Sequence, residues 1–341
     1  MKIIEIQGQS GISRIIINES LENLDRYVPV NRAVIITDYN VSRYYRSRFP
    51  GWDVIEIGTG EKIKTLDTVQ LIYKKLVDLE IDRSCFIVGI GGGIVCDIAG
   101  FAASTYMRGL DFGFVSTSLL SQVDASVGGK NGVNFQGYKN MIGLFNQPAF
   151  VICDPTMLKT LTPKELSYGF AEIVKHAAIG DRAYFDFLEK NYKKALEMDE
   201  EVLARLVYDS IMVKSSIVQR DEKEKGERRK LNFGHTYGHA LEKTIGIPHG
   251  EAVSIGIAAA ANLSVRRNLL PGEEAVRIRQ LLERLHLPTK TTANKEKIWD
   301  AIKKDKKRQG QGIHFVLLKS IGEAVIEEIS LEELGEVIES A

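Results

Sequence analysis

The chain has 341 residues, 44% hydrophobic and 26% charged, the balance of a globular protein long enough for two domains that each bury a core. Lys plus Arg and Asp plus Glu both total 45, so no global field recruits nucleic acid, and a highly charged ligand needs a local cluster of basic residues. Three cysteines, Cys85, Cys96 and Cys153, odd in number and set in apolar runs, speak against a disulfide framework.

The start, MKIIEIQGQS, lacks the apolar core of a signal peptide, and the longest apolar run, near SIGIAAAA, is too short to span a bilayer. The expectation is a cytoplasmic protein with no membrane or nucleic-acid partner. KIIEIQ and SRIIIN are β-branched runs split by GQSGI, which predicts a hairpin. RAVIITD and SCFIVGIGGG are apolar runs that end at polar or glycine turns, as buried parallel strands do. Between them TLDTVQLIYKKLVDL has the helical period, and FGFVST and AFVICDP add later strands. This alternation predicts an α/β domain with a mostly parallel, Rossmann-like sheet.

After Pro163 the texture changes. TPKELSYGFAEIVKHAAIG opens with Thr162 as N-cap, Pro163 at the first helical position and Glu165 soon after. Helical patterns follow at 182–197, 200–219, 234–246, 250–268 and 272–285, and IHFVLL with EAVIEEI predicts a small hairpin. The boundary therefore falls near residues 160–165, giving an α/β domain over 1–162 and a mainly α-helical one over 163–341. The mixed-charge run RDEKEKGERRK reads as a solvated helix end.

FIVGIGGGIVCDIAGFAAS is a strand, a glycine cluster and a helix, the arrangement that lets backbone approach a pyrophosphate at a helix N-terminus. The strict G-x-G-x-x-G pattern fails because Ile94 fills its last place, so a plain tight turn stands as the alternative. TDYN puts Asp38 or Asn40 at a strand's carboxyl edge, and GTGEKIKTL puts Glu61 and Lys64 in a loop that opens a helix. Singly each is an N-cap or a solvated charge; together they suggest strand ends converging on a dinucleotide.

In LNFGHTYGHALEK, His235 and His239 stand four apart, on one face of a helix, and spacing alone makes them metal co-ligands. Thr236 stands where the zinc-protease pattern needs a glutamate. His249 starts another helix, and Glu172 lies among apolar neighbours, where a carboxylate is either exposed or paired, the flanks favouring paired. Arg108, Lys130, Lys139, Lys175, Lys214, Arg228 and Lys306 recur beside glycines or apolar faces. Any one reads as a surface cation; as a set they suit a ligand bearing a carboxylate and a phosphate.

GGGIVCDIAGFAASTYMRG, STSLLSQVDASVGGKNGVN, YKNMIG, DPTMLKTL, GFAEIVKH, RKLNFGHTYGHALE and HGEAV together resemble 3-dehydroquinate synthases, over most of the chain. The resemblance implies an NAD+- and divalent-metal-dependent (Zn2+ or Co2+) homodimer with its active site in the cleft between the two domains. It implies Glu172, His235 and His249 as metal ligands, with His239 facing the substrate instead. It maps Asp38, Asn40, Glu61, Lys64, the turn Gly91, Gly92, Gly93, Ile94, Val95, Cys96 and Asp97, then Thr117, Ser118, Lys130, Lys139, Met157, Leu158, Lys159 and Thr160 onto the cofactor. Arg108, Asp124, Lys130, Asn140, Lys175, Lys214, Arg228, Asn232, His239 and Lys306, with Lys307 adjacent, map onto the substrate. The segment from His239 to His249 is somewhat shorter than the family pattern, which touches a loop and leaves the ligands intact.

The implied reaction takes 3-deoxy-D-arabino-heptulosonate 7-phosphate to 3-dehydroquinate and phosphate by transient oxidation, β-elimination, re-reduction, ring opening and aldol closure. A related sugar-phosphate cyclase would share cofactor and metal, and Arg228 and Lys214, suited to a substrate carboxylate, argue against it. A polyol dehydrogenase would release NADH and needs no phosphate cluster. A non-enzymatic NAD- or metal-sensing module leaves the cations unexplained.

Overall fold

The computed structural model describes residues 1–30, 32–303, 308–309, 312–330 and 333–335. The chain divides into two compact units, Met1–Thr162 and Pro163–Ala341.

The first unit begins with β1 (Lys2–Gly8) and β2 (Gly11–Ile17), an antiparallel hairpin. It continues through β3 (Ala33–Asp38), α1 (Tyr39–Tyr45), β4 (Asp53–Ile57), α2 (Leu66–Asp78), β5 (Phe86–Gly91), α3 (Gly93–Thr105) and β6 (Phe112–Ser116). A second hairpin, β7 (Lys130–Phe135) and β8 (Tyr138–Phe145), precedes β9 (Phe150–Cys153). The main sheet runs β1-β2-β9-β6-β5-β3-β4, parallel throughout except for β1. Its central strands are buried on both faces, which is why RAVIITD and CFIVGIG read as unbroken apolar runs. Ile16, Ile35, Val88, Val115, Phe150 and Ile152 join in one core.

From β3 the chain crosses to β4 on one side, then returns past β3 to β5 on the other. The switch point therefore lies between β3 and β5, where such sheets bind ligands outside the strands' carboxyl ends. The hydroxyl of Thr37 donates to the carbonyl of Ile90 at 2.8 Å and ties these two ends together.

The second unit holds α4 (Pro163–Gly180), α5 (Arg182–Leu196), α6 (Glu200–Arg220), α7 (His235–Ile245), α8 (His249–Arg266), α9 (Gly272–Arg284) and α10 (Lys295–Lys303). A three-stranded antiparallel sheet of β10 (Arg308–Gln309), β11 (Gly312–Ser320) and β12 (Glu323–Ser330) completes it. α8 packs against α4, α7, α9 and β11, and its sequence AVSIGIAAAA is apolar all round, as a central helix requires. Among the described residues no helix is long and apolar enough to cross a membrane.

Three features differ from the sequence expectation. The β7–β8 hairpin arises from KNGVNF and YKNMIGLF, whose lysines, asparagines and glycines hide a strand signal, and most of β8 is exposed or half-buried. α10 was not anticipated either. The run RDEKEKGERRK is not a solvated helix end: Glu222 and Arg228 are buried, and an Arg228 guanidinium nitrogen donates to the carbonyl of Glu222 at 2.5 Å. The Asp221 carboxylate accepts from the backbone N–H of Lys225, Gly226 and Arg228, which folds the charged run back on itself.

Candidate functional site

At the switch point Asp38 caps α1, accepting from the Val41 N–H at 2.9 Å, and Asn40 lies exposed in that helix's first turn. β5 ends at Gly91, and Gly92 caps α3 without any side-chain hydrogen bond to its first turn. A Cβ at Gly91 would lie 2.4 Å from the Cβ of Val95, and one at Gly93 would lie 2.7 Å from that of Ala125. Side chains are thus excluded, and backbone N–H groups with the helix dipole behind them form the surface. Val95 and Cys96 are buried in the core, so a ligand there meets their backbone, as well as that of Ile94. Burial pushes the Cys96 thiol up to about 12, which leaves it a neutral packing group.

Beside this turn a polar network closes around Lys64. Its buried ammonium pairs with Asp97 and donates to the side-chain oxygen of Asn140 at 2.5 Å. Asn134 donates its side-chain N–H to Glu61 at 2.7 Å and accepts from the backbone N–H of Asn140 at 2.9 Å. Asn140 itself is left-handed, at φ 50°, a conformation asparagine tolerates. Nothing in the sequence reading singled out Asn134; the hairpin that carries it was missed. Lys139 and Lys130 are exposed at the two ends of that hairpin's facing strands.

Thr117 donates its N–H to the carbonyl of Gly91 at 3.0 Å, and the Ser118 hydroxyl lies 3.3 Å from where a Gly92 Cβ would sit. Met157 and Leu158 are core residues, whereas Lys159 and Thr160 are exposed. Tyr45 pins their turn, donating to the Met157 carbonyl at 3.1 Å with its oxygen 2.9 Å from the Thr160 hydroxyl. Arg108 is exposed in a loop where Met107, Arg108 and Gly109 run at φ 49°, 74° and 120°. Two successive left-handed non-glycine residues are costly, a pattern that clusters at functional loops. Asp124 lies half-buried in a single π turn, Ser121–Ala125.

In the second unit Glu172 of α4, His235 of α7 and His249 of α8 each offer one ligand atom, all within 4.8 Å of one another. Three glycines permit this. A Cβ at Gly250 would lie 2.4 Å from the Cα of Tyr168, so α8 touches α4 one turn before Glu172. A Cβ at Gly256 would lie 1.9 Å from the carbonyl oxygen of Gly234, so α8 also meets the start of α7 at His235. Glu172 Oε1 lies 3.1 Å from His249 Nε2 and 3.5 Å from His235 Nε2. Ligand atoms about 2.1 Å from a tetrahedral ion stand about 3.4 Å apart, so the spacing suits one Zn2+-sized ion, as does a carboxylate with two imidazoles.

The two rings differ in protonation, and a metal would have to displace a proton from His249. Burial pushes the His235 ring well below its ordinary value, and the positive charge of Lys175 with the other two histidines adds to it, leaving a neutral imidazole. Burial also opposes charge on His249, but hydrogen bonds to Glu172 and Glu242 outweigh it and raise that ring to about 9. Spacing alone paired His235 with His239. Their rings are perpendicular with centroids 5.3 Å apart, and His239 groups with Glu242 and His249 instead of with Glu172.

A cation adjoins this group directly. Lys175 is buried and paired with Glu172; Lys214 of α6 and Arg228 are also buried, unlike the surface cations each suggested singly. Asn232 donates to Glu224 at 2.5 Å. Lys306 and its neighbour Lys307 lie outside the described residues. Glu242, three residues past His239 and seven past His235, was overlooked, although i, i+4, i+7 spacing puts all three on one helix face.

Comparison with known proteins follows the same lines. The 3-dehydroquinate synthase N-terminal family model matches residues 54–168, and the 3-dehydroquinate synthase C-terminal model matches residues 169–308. A 3-dehydroquinate synthase of Acetivibrio thermocellus is 41% identical over 315 residues, 89% of this chain and 88% of that one. A solved 2-deoxy-scyllo-inosose synthase complexed with carbaglucose-6-phosphate, NAD+ and Co2+ superposes with a TM-score of 0.89 at 26% identity, over 100% of both chains. A 2-epi-5-epi-valiolone synthase from Streptomyces hygroscopicus with NAD+ and Zn2+ bound gives 0.89 and 26%, over 96% of this chain and 95% of that one.

Proposed function

Because the chain belongs to the 3-dehydroquinate synthase family, we propose that it converts 3-deoxy-D-arabino-heptulosonate 7-phosphate to 3-dehydroquinate and phosphate. The observation that carries this is the convergence of Glu172, His235 and His249, with the buried Lys175 paired to Glu172, in a chain that matches the family over residues 54–308.

Glu172, His235 and His249 would hold one divalent ion, Zn2+ or Co2+, and the glycine turn with Asp38, the Lys64 network, Thr117 and Ser118 would hold NAD+. When bound, the nicotinamide supplies a reversible hydride acceptor and the ion supplies Lewis acidity toward adjoining ring hydroxyls. Oxidation at C5 acidifies the C6 proton, phosphate leaves by β-elimination, the carbonyl is reduced again, and ring opening with aldol closure forms the carbocycle. Lys175, Lys214 and Arg228, buried where the dielectric is low, act strongly on an anion and offset charge that develops on the leaving phosphate or the carboxylate. We assign Arg108, Lys130, Asn140 and Asn232 to the substrate on family likeness alone. His239, half-buried beside the metal group, holds or passes a proton at the substrate's hydroxyls. We also assign a homodimer, on family likeness alone; sedimentation equilibrium tests it.

The deciding assay supplies the heptulosonate phosphate with NAD+ and Zn2+ and follows phosphate release together with the enone formed when the product is dehydrated. Both signals should appear, chelation should abolish them, and NADH should not accumulate. Stoichiometric NADH without phosphate release would instead identify a dehydrogenase.

A further inference from the structure

We propose that Glu242 is a positioning residue, whose carboxylate holds the Nδ1–H of His249 so that Nε2 faces Glu172 and a divalent ion held there. This rests on the reading above that Glu172, His235 and His249 are the ligands. The two histidines are built alike. His235 Nδ1 lies 3.2 Å from the carbonyl oxygen of Phe233, and His249 Nδ1 lies 2.6 Å from Glu242 Oε1. An ionised carboxylate and a carbonyl only accept, so each Nδ1 carries a proton and Nε2 is the nitrogen left for an ion, which on His249 would displace the proton now held toward Glu172. Histidine ligands are commonly oriented in this way, by an acceptor on the far ring nitrogen.

The two rings differ in what else restrains them. The His235 side chain is 10% exposed and is gripped by packing as well as by the carbonyl two residues before it. The His249 side chain is 32% exposed, at the first position of α8, and its Nδ1 partner comes from a different helix. Glu242 is 4% exposed, and a carboxylate withdrawn from water that far is costly unless it has charged or polar partners to repay it. Its place two turns beyond His235 on α7 lets one helix present both a ligand and the orienter of another ligand.

Glu242 also groups with His239 and His249 within 4.8 Å, so the rival is that it ligates an ion itself. Glu242→Gln separates the two roles: glutamine still accepts from Nδ1–H but is a poor ligand. Full-length protein, stripped by chelation and titrated with Co2+, reports affinity and coordination through its visible spectrum, with Zn2+ measured by competition. Glu242→Ala should weaken binding by about 10–100-fold and alter the Co2+ spectrum, with Glu242→Gln recovering most of the loss. Wild-type affinity and spectrum in Glu242→Ala would overturn the proposal, and so would a Glu242→Gln as weak as the alanine variant. Should the alanine variant not fold, Glu242→Met, of similar length but unable to accept, replaces it: weakened binding beside a near-wild-type Glu242→Gln supports the role, while wild-type affinity in Glu242→Met defeats it. Wild-type protein that takes up no Co2+ would instead remove the ligand assignment itself.

Discussion

At the glycine turn of the first unit, the groups on offer are backbone N–H donors at the mouth of α3, framed by residues close in sequence. Around Glu172 they are side chains from α4, α7 and α8, drawn together from positions 172, 235 and 249. A backbone surface is damaged by adding atoms, whereas a side-chain cluster is damaged by removing them. The difference also sets how independently each can be perturbed.

The sharpest break is His235→Ala. It should remove bound metal and lower turnover by about 10³-fold or more, the upper range for losing an electrostatic stabiliser, while NAD+ binding persists. Metal analysis beside NAD+ titration checks this; a fully active, metal-free variant would refute the ligand assignment. The converse is Gly91→Ala, whose new Cβ meets Val95 at 2.4 Å. Overpacking there should cost about 1–3 kcal/mol in urea unfolding and weaken NAD+ while leaving Co2+ uptake intact. Loss of both ligands together would mean that the two regions are not separable.

Lys130→Ala should reduce turnover and raise the substrate KM with little change in NAD+ affinity; a selective loss of NAD+ binding moves Lys130 to the cofactor. The smallest effect belongs to Asn134→Ala, which breaks the link between Glu61 and Asn140. It should cost about 1 kcal/mol in stability and a few-fold in NAD+ affinity, read by thermal melts with and without the cofactor. A variant with unchanged NAD+ affinity would leave the network purely structural.

Legibility in the sequence tracks the same contrast. Apolar strands ending in glycine or aspartate announce themselves locally, so β3, β5 and the turn after β5 were readable, as were helices α5 to α9. The β7–β8 hairpin was hidden because lysines, asparagines and glycines interrupt its strands and β8 is exposed or half-buried, and Asn134 went with it. The burial of Lys175, Lys214 and Arg228 was not readable, since each lies in a segment whose own pattern leaves it on either face until other elements pack on it. His235 and His239 show the limit of periodicity. Spacing correctly placed them on one face, yet the group that includes Glu172 depends on how α4 and α8 meet at Gly250, a contact between residues 82 positions apart. Glu242 carried the right spacing from His235, but its partner begins the next helix.

The most direct test is anomalous diffraction from crystals grown with Co2+. A single peak should stand about 2.0–2.2 Å from a Glu172 carboxylate oxygen and from Nε2 of His235 and His249. A peak bonded instead by His239 and Glu242, with Glu172 out of reach, would contradict it.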